Sequence, residues 1–113
     1  MAQVVDYVRS DGSRPFRKWF DGLDVQAAAK VSVAVVRLET GTTSNVKWMS
    51  GVSEYRIDWG PGYRLYFVQD GAALIVLLAG GTKRSQQNDI LRARALAAEY
   101  KRRKADAQPK RKR

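Results

Sequence analysis

The stretch from Ser53 to Asp89, SEYRIDWGPGYRLYFVQDGAALIVLLAGGTKRSQQND, constrains the fold more than any other part of the chain. Strand side chains repeat with period two, so Glu54, Arg56 and Asp58 share one face of a first strand, while Tyr55, Ile57 and Trp59 share the other. Gly60-Pro61-Gly62 turns the chain and a second alternating run begins at Tyr63. With those three residues as the loop, Trp59 faces Tyr63, Asp58 faces Arg64 and Arg56 faces Tyr66. One face of the hairpin is then apolar (Tyr55, Ile57, Trp59, Tyr63, Leu65, Phe67) and reads as core. The other carries Glu54, Arg56, Asp58, Arg64 and Tyr66, a charged platform that a purely structural sheet would not require. Pairing of Arg56 and Arg64 with Glu54 and Asp58 across the hairpin is the ordinary structural explanation for those charges.

Asp70-Gly71 signals a second, two-residue hairpin, and Ala73–Ala79, apolar on both faces, reads as a strand inside a covered sheet. Gly80-Gly81 permits a tight backbone exit, and Thr82-Lys83-Arg84-Ser85 sets two cations at the strand end. Ser85 reads as the N-cap of a helix whose inward stripe is Ile90, Ala93, Ala97 and Tyr100 and which fades near Arg103. Upstream, Gln3–Val8 is a β-rich run. Ser13 and Pro15 start a short helix with Phe16, Trp19, Phe20 and Leu23 on one side. Asp24 caps a second helix with Ala27, Val31, Ala34, Val35 and Leu38 inward, and Gly41 stops it. Residues 41–53 read as loop. The expected fold is α+β: an antiparallel sheet of about four strands packed against two N-terminal helices and a C-terminal helix. It forms one domain over residues 1–100, followed by a basic, disordered tail over 101–113.

What is missing narrows the chemistry. The chain has no cysteine and no histidine, which excludes disulfides, thiol nucleophiles and zinc-thiolate sites, and removes the commonest general base near neutral pH. Catalysis must run on Arg, Lys, Tyr, Glu or Asp. The net charge is +10, but the tail holds eight Lys/Arg against one acid, leaving only +3 for residues 1–100. The tail would add salt-dependent affinity for nucleic acid without sequence preference. The longest apolar run, Ala72–Ala79, is too short to cross a bilayer and the N-terminus lacks the layout of a secretion signal, so a soluble, unexported protein is expected.

The ordered set GVSEYRIDWGPGYRLYF, then LLAGGTKRSQQNDI, with Trp19-Phe20-Asp21-Gly22-Leu23 and Arg37-Leu38 before Gly41 upstream, resembles the phage-derived HigB-like branch of the RelE/ParE toxin superfamily. The resemblance covers essentially the whole chain. It implies a RelE-like fold and a cytoplasmic toxin of a type II toxin–antitoxin system, partnered by an antitoxin that in this branch is commonly a helix-turn-helix DNA-binding protein. It further implies binding to the ribosome and cleavage of translated mRNA, with the RNA 2′-hydroxyl as nucleophile and neither metal nor cofactor. Arg64 matches the arginine of the family's GYR segment, which lies at the scissile phosphate. Arg56, in the E-x-R segment, would hold phosphate, and Lys83 matches the basic residue after the paired glycines. Arg84 is its neighbour, and Glu54, Tyr66 and Lys83 are the candidates for proton transfer. Gln86 and Asp89 belong to the motif, although capping and the helix dipole account for them. The sequence departs from the RNA-cleaving members in lacking extra lysines around Arg56, where Tyr55 and Ile57 stand, and in offering only Tyr100 near the C-terminus. A DNA gyrase inhibitor of the ParE type, or an inactive antitoxin-binding homologue, uses the same scaffold.

Overall fold

In the computed structural model, which describes residues 2–107, both hairpins form and anchor a five-stranded sheet ordered β1-β5-β4-β3-β2. The strands are β1 (Gln3–Asp6), β2 (Val46–Trp48), β3 (Ser53–Ile57), β4 (Tyr63–Asp70) and β5 (Leu74–Thr82). Helices α1 (Pro15–Asp21) and α2 (Val25–Glu39) connect β1 to β2, and α3 (Gln86–Ala107) follows β5 through a 3-10 turn at Lys83–Ser85. The α+β class is as expected, but the sheet is mixed and has one strand more. β1 lies parallel to β5, while the other pairs are antiparallel. Alternation assigns a strand's faces and not its neighbour, so a pairing between Gln3 and Leu74 leaves no local trace. The extra strand is β2, inside the stretch expected to be loop; its three residues are too few to show a period. Among the described residues no helix is long and apolar enough to cross a membrane.

Both faces of the sheet are covered. Phe16 of α1 and Val31, Ala34 and Leu38 of α2 pack on Tyr55, Ile57, Leu65, Phe67, Ile75 and Leu77. On the other face, Ala93 and Ala97 of α3 pack against Tyr66, Val76, Leu78 and Ala79. Asp24 caps α2 as expected, accepting from the Ala27 N–H at 2.8 Å. Ser13 does not cap α1: its hydroxyl donates to Asp11, and Arg14 occupies the cap position without a side-chain capping bond, its guanidinium donating instead to Asp6.

Two registers differ from expectation. Ile57 pairs with Tyr63 and Arg56 with Arg64, so the first hairpin loop spans residues 58–62 and the register moves by two. A two-residue shift preserves which face each side chain takes, and only the cross-strand partners change. The second hairpin closes through Gly71-Ala72-Ala73, one residue longer than a two-residue turn, from Asp70 to Leu74. Further along, Tyr66 pairs with Ala79 but Phe67 pairs with Leu77, so Leu78 is an extra residue that rephases β5. Leu78 and Ala79 therefore both face α3. Beyond them Gly80 is turned toward α1 and Gly81 toward α3. A Cβ on Gly80 would fall 2.1 Å from the Trp19 ring, so the absent side chain is what lets the indole lie on the sheet.

α3 runs through Ala107 instead of fading near Arg103. The reason lies in side-chain ties to the far end of the sheet. Glu99 accepts from Tyr7 Oη and from Arg9, Arg103 donates to the Val8 carbonyl at 2.7 Å, and Tyr100 and Lys104 both donate to Asp70. The tail expected from residue 101 thus begins as helix, and its last six residues, 108–113, lie outside the described residues.

Candidate functional site

The face that alternation assigns to charge is not an open platform. The first turn of α3 closes over it, so that Glu54 and Tyr66 are fully buried and the Arg64 side chain is 8% exposed, while Arg56 stays 44% exposed at the rim. The register places Arg56 directly opposite Arg64 and Arg64 directly opposite Gly81. Like charges opposite each other on neighbouring strands repel, and Glu54 is what holds the pair together. Its Oε1 accepts from Arg56 Nε at 2.9 Å, its Oε2 accepts from Gln86 Nε2 at 2.7 Å, and the same Oε2 lies 3.9 Å from Arg64 Nε. Burial would raise the Glu54 carboxyl, but the hydrogen bonds from Arg56 and Gln86 and the charges of Arg56 and Arg64 outweigh it and hold the group below its ordinary value. Glu54 is therefore an ionised counter-ion with both oxygens engaged.

Arg64 is less well served. Its Nε is buried with no hydrogen-bond partner, and the guanidinium makes no hydrogen bond to any described residue. A buried guanidinium with only a 3.9 Å contact to a shared carboxylate is under-neutralised, because desolvating the cation costs several kcal/mol unless an anion compensates it. The Tyr66 hydroxyl, across the sheet from Glu54, is also buried with no hydrogen-bond partner. Burial first, then the nearby Glu54 and Asp89 charges, drive that hydroxyl far above its ordinary value. It stays protonated and cannot serve as a general base.

Gly81 and Gly62 bring the strand exit to this point. A Cβ on Gly81 would fall 1.8 Å from Asp89 Oδ2, so the Asp89 carboxylate occupies the space above Gly81, beside Arg64, and accepts from Ser85 Oγ. Gly62, with φ +76°, sits between the two cationic segments. A Cβ there would lie 3.3 Å from Lys83 Cβ and 3.9 Å from Arg64 Nη1, so Lys83 flanks Arg64 across the hairpin loop. Lys83 and Arg84 are both exposed on the 3-10 turn, and neither makes an ion pair with a described residue. Asp58, placed opposite Arg64 by the expected register, lies in the loop and pairs with neither arginine. Tyr100 is remote from the cluster, with its hydroxyl on Asp70.

The structure thus gathers Glu54, Arg56, Arg64 and Tyr66 beneath one helix start, with Lys83 at their edge. Gln86 and Asp89, for which capping and the helix dipole are sufficient in the sequence, are members of the cluster: Gln86 completes Glu54 and Asp89 fills the space over Gly81. The signal in the sequence was the second glycine of Gly80-Gly81, a strand position that needs no side chain only if something approaches closely.

The fold and this cluster define a small α+β protein with a cationic, partly covered sheet end. No family model matches the chain. It is similar to a protein of Haemophilus influenzae described as uncharacterized, at 38% identity over 86 residues that span 74% of this chain and 87% of that one. The chain belongs to the same family as that protein.

Proposed function

We propose that this chain is the toxin of a type II toxin–antitoxin pair, of the HigB-like branch of the RelE/ParE superfamily, and that it cleaves mRNA on the ribosome. The observation that carries the reading is Arg64: a nearly buried guanidinium without a hydrogen-bond partner, braced by Glu54 and flanked by Lys83. A phosphodiester supplies the oxygens this group lacks, since a planar guanidinium matches a phosphate bidentately. In the reaction, the 2′-oxygen forms a bond to phosphorus while the bond to the 5′-oxygen breaks, leaving a cyclic phosphate and a 5′-hydroxyl. The 2′-proton passes to solvent water as the 2′-oxygen attacks, and a proton is delivered to the departing 5′-oxygen. Arg64 would stabilise the charge that grows on the phosphoryl oxygens, Arg56 would hold an adjacent phosphate, and Lys83, exposed beside the loop, is the group placed to donate to the leaving oxygen. Glu54 positions the arginines. An antitoxin, the ribosome and mRNA are the partners of this reading, in the cytoplasm, and no cofactor takes part in it.

One observation favours the second reading, a gyrase inhibitor of the ParE type or an inactive homologue. Glu54 is ionised but fully engaged and Tyr66 is buried, so the cluster presents no free general base. Induction in bacteria followed by mapping of RNA 5′ ends separates the readings. The nuclease yields transcripts cut only while translated, and Arg64→Ala relieves the growth arrest with the fold intact. Intact transcripts with inhibited DNA supercoiling would overturn the nuclease reading.

A further inference from the structure

Beside the phosphate cluster, on the α2 side of the sheet, a second feature is built from the same strand. β2 pairs with β3 only as far as Tyr55, and past it the one link is the Arg56 N–H to the Asn45 carbonyl at 3.0 Å. The end of β3 and the loop after it therefore separate from the sheet edge, and a cleft of about 260 Å³ opens between them and α2. Its polar lining is Lys30, Arg37, Asn45, Arg56, Asp58 and Trp59. Lys30 and Arg37 lie seven residues apart, two turns along one face of α2. Neither forms an ion pair with a described residue; Lys30 Nζ instead stands 5.5 Å from the centre of the Trp59 ring. Trp59 is backed by Tyr63, with ring centres 6.2 Å apart and planes 22° from parallel. Two cations of α2, with Arg56 at the rim, against one carboxylate and beside a braced aromatic ring, form a lining of the kind that single-stranded nucleic acid favours: charge for the backbone and an aromatic ring for a base. The volume falls just below the roughly 300–1,000 Å³ of small-molecule pockets, room for one base.

We infer that this cleft holds a nucleotide next to the one whose phosphate sits on Arg64. The inference rests on the proposed function. Arg56 joins the two places at the sheet edge, its guanidinium braced by Glu54 on the cluster side while the residue stands at the rim of the cleft. A strand crossing it puts consecutive phosphates on Arg64 and Arg56, with the next base against Trp59 and the following phosphate between Lys30 and Arg37. Asn45, whose Nδ2 lies 3.5 Å from the Tyr55 hydroxyl, is placed at the wall to meet a base edge.

The test uses the full chain and a labelled single-stranded RNA octamer, with affinity measured by anisotropy across a salt series. The variants are Lys30→Ala/Arg37→Ala, Trp59→Phe, Arg64→Ala, and Lys101→Ala/Arg102→Ala, the last removing the same charge from the exposed end of α3. The α2 pair should lower affinity about tenfold at low salt. It should also flatten the slope of log affinity against log salt by about 0.7, the value for the one phosphate held between them on a single strand. RNA should quench tryptophan emission in the wild type and much less in Trp59→Phe. Wild-type affinity in the α2 pair, a loss no larger than that of the Lys101/Arg102 pair, or undiminished quenching in Trp59→Phe would each overturn the cleft. Arg64→Ala separates this failure from that of the proposed function. If it alone weakens binding, the phosphate cluster stands and the cleft falls. If the α2 pair weakens binding and Arg64→Ala does not, the cleft stands and the nuclease reading falls. Unchanged melting of the α2 pair, whose residues are exposed, shows that the losses are not unfolding.

Discussion

Replacing Glu54 by Gln keeps the shape of the side chain and removes one negative charge from between two arginines. The carboxylate is fully buried and lies 3.9 Å from Arg64 Nε, a separation at which two unit charges attract by about 4 kcal/mol at an effective dielectric constant near 20. Removing one partner of a buried pair costs about 3–5 kcal/mol, because the other charge is left uncompensated. Arg56 adds little to this, since it is 44% exposed and water screens it. The glutamine carbonyl can still accept from Gln86, which moderates the loss. The expected destabilisation of Glu54→Gln is therefore about 3 kcal/mol at pH 7 by urea unfolding, or roughly 10 °C in melting temperature. The loss also depends on pH in a defined direction. The folded-state carboxyl lies below its ordinary value, so its contribution is complete above the unfolded value of about 4.3 and disappears as pH falls through the folded one. The wild type should thus begin to lose its advantage over Glu54→Gln as pH falls below about 4.3. A cost under about 1 kcal/mol at pH 7, or a gap as wide at pH 3 as at pH 7, would refute the role of Glu54 as counter-ion to buried Arg64.

On the nuclease reading, Arg64→Ala should lower single-turnover cleavage about 10²–10³-fold, the usual cost of one charge-stabilising donor. Arg64→Lys should recover only part of that, since an ammonium keeps the charge and loses the fork; full activity in the lysine variant would argue against bidentate phosphate contact. Gly80→Ala puts a methyl 2.1 Å from the Trp19 ring and must displace α1, with an expected cost of about 1–3 kcal/mol and a change in tryptophan emission, both measurable in one denaturation series. Glu99 is lowered to about 2 by its hydrogen bonds from Arg9 and Tyr7, so its contribution is present above about pH 4.3 and lost toward pH 2. Glu99→Gln should reduce amide protection in the last turns of α3 at pH 7 and weaken the response of that region to acid, what remains coming from Asp70, which Lys104 and Tyr100 hold below its ordinary value.

The faces of β3 and β4 were legible because period-two alternation survives a register error of two, and the core stripe of α2 was legible because its caps, Asp24 and Gly41, stand where propensity places them. The cross-strand partners were not. Gly60-Pro61-Gly62 looks like a complete loop, and only the packing of Trp59 on Tyr63 and under Lys30 shows why Asp58 and Trp59 leave the strand. The parallel partnership of β1 with β5 and the bulge at Leu78 depend on contacts remote in sequence. The α3 extension was hidden for a related reason: the cations of residues 101–107 resemble a solvated run until Asp70 and the Val8 carbonyl are seen to receive Lys104 and Arg103.

The same limit explains the site. Alternation identifies a charged face but does not say what covers it, and the covering changes the chemistry. On an open sheet, Arg56 and Arg64 would be two solvated cations whose pairing with carboxylates contributes about 0–1 kcal/mol each. Under the first turn of α3, one carboxylate is shared among Arg56, Gln86 and Arg64, and Arg64 receives the weakest part. A second carboxylate, Asp89, stands over Gly81 but is engaged by Ser85. Arg64 thus keeps both its desolvation cost and its unused donor, held in position before any ligand arrives. On the nuclease reading, a phosphate that reaches this guanidinium meets a donor already held in place, and preorganised donors of this kind are worth more at a developing charge than mobile ones on a wet surface.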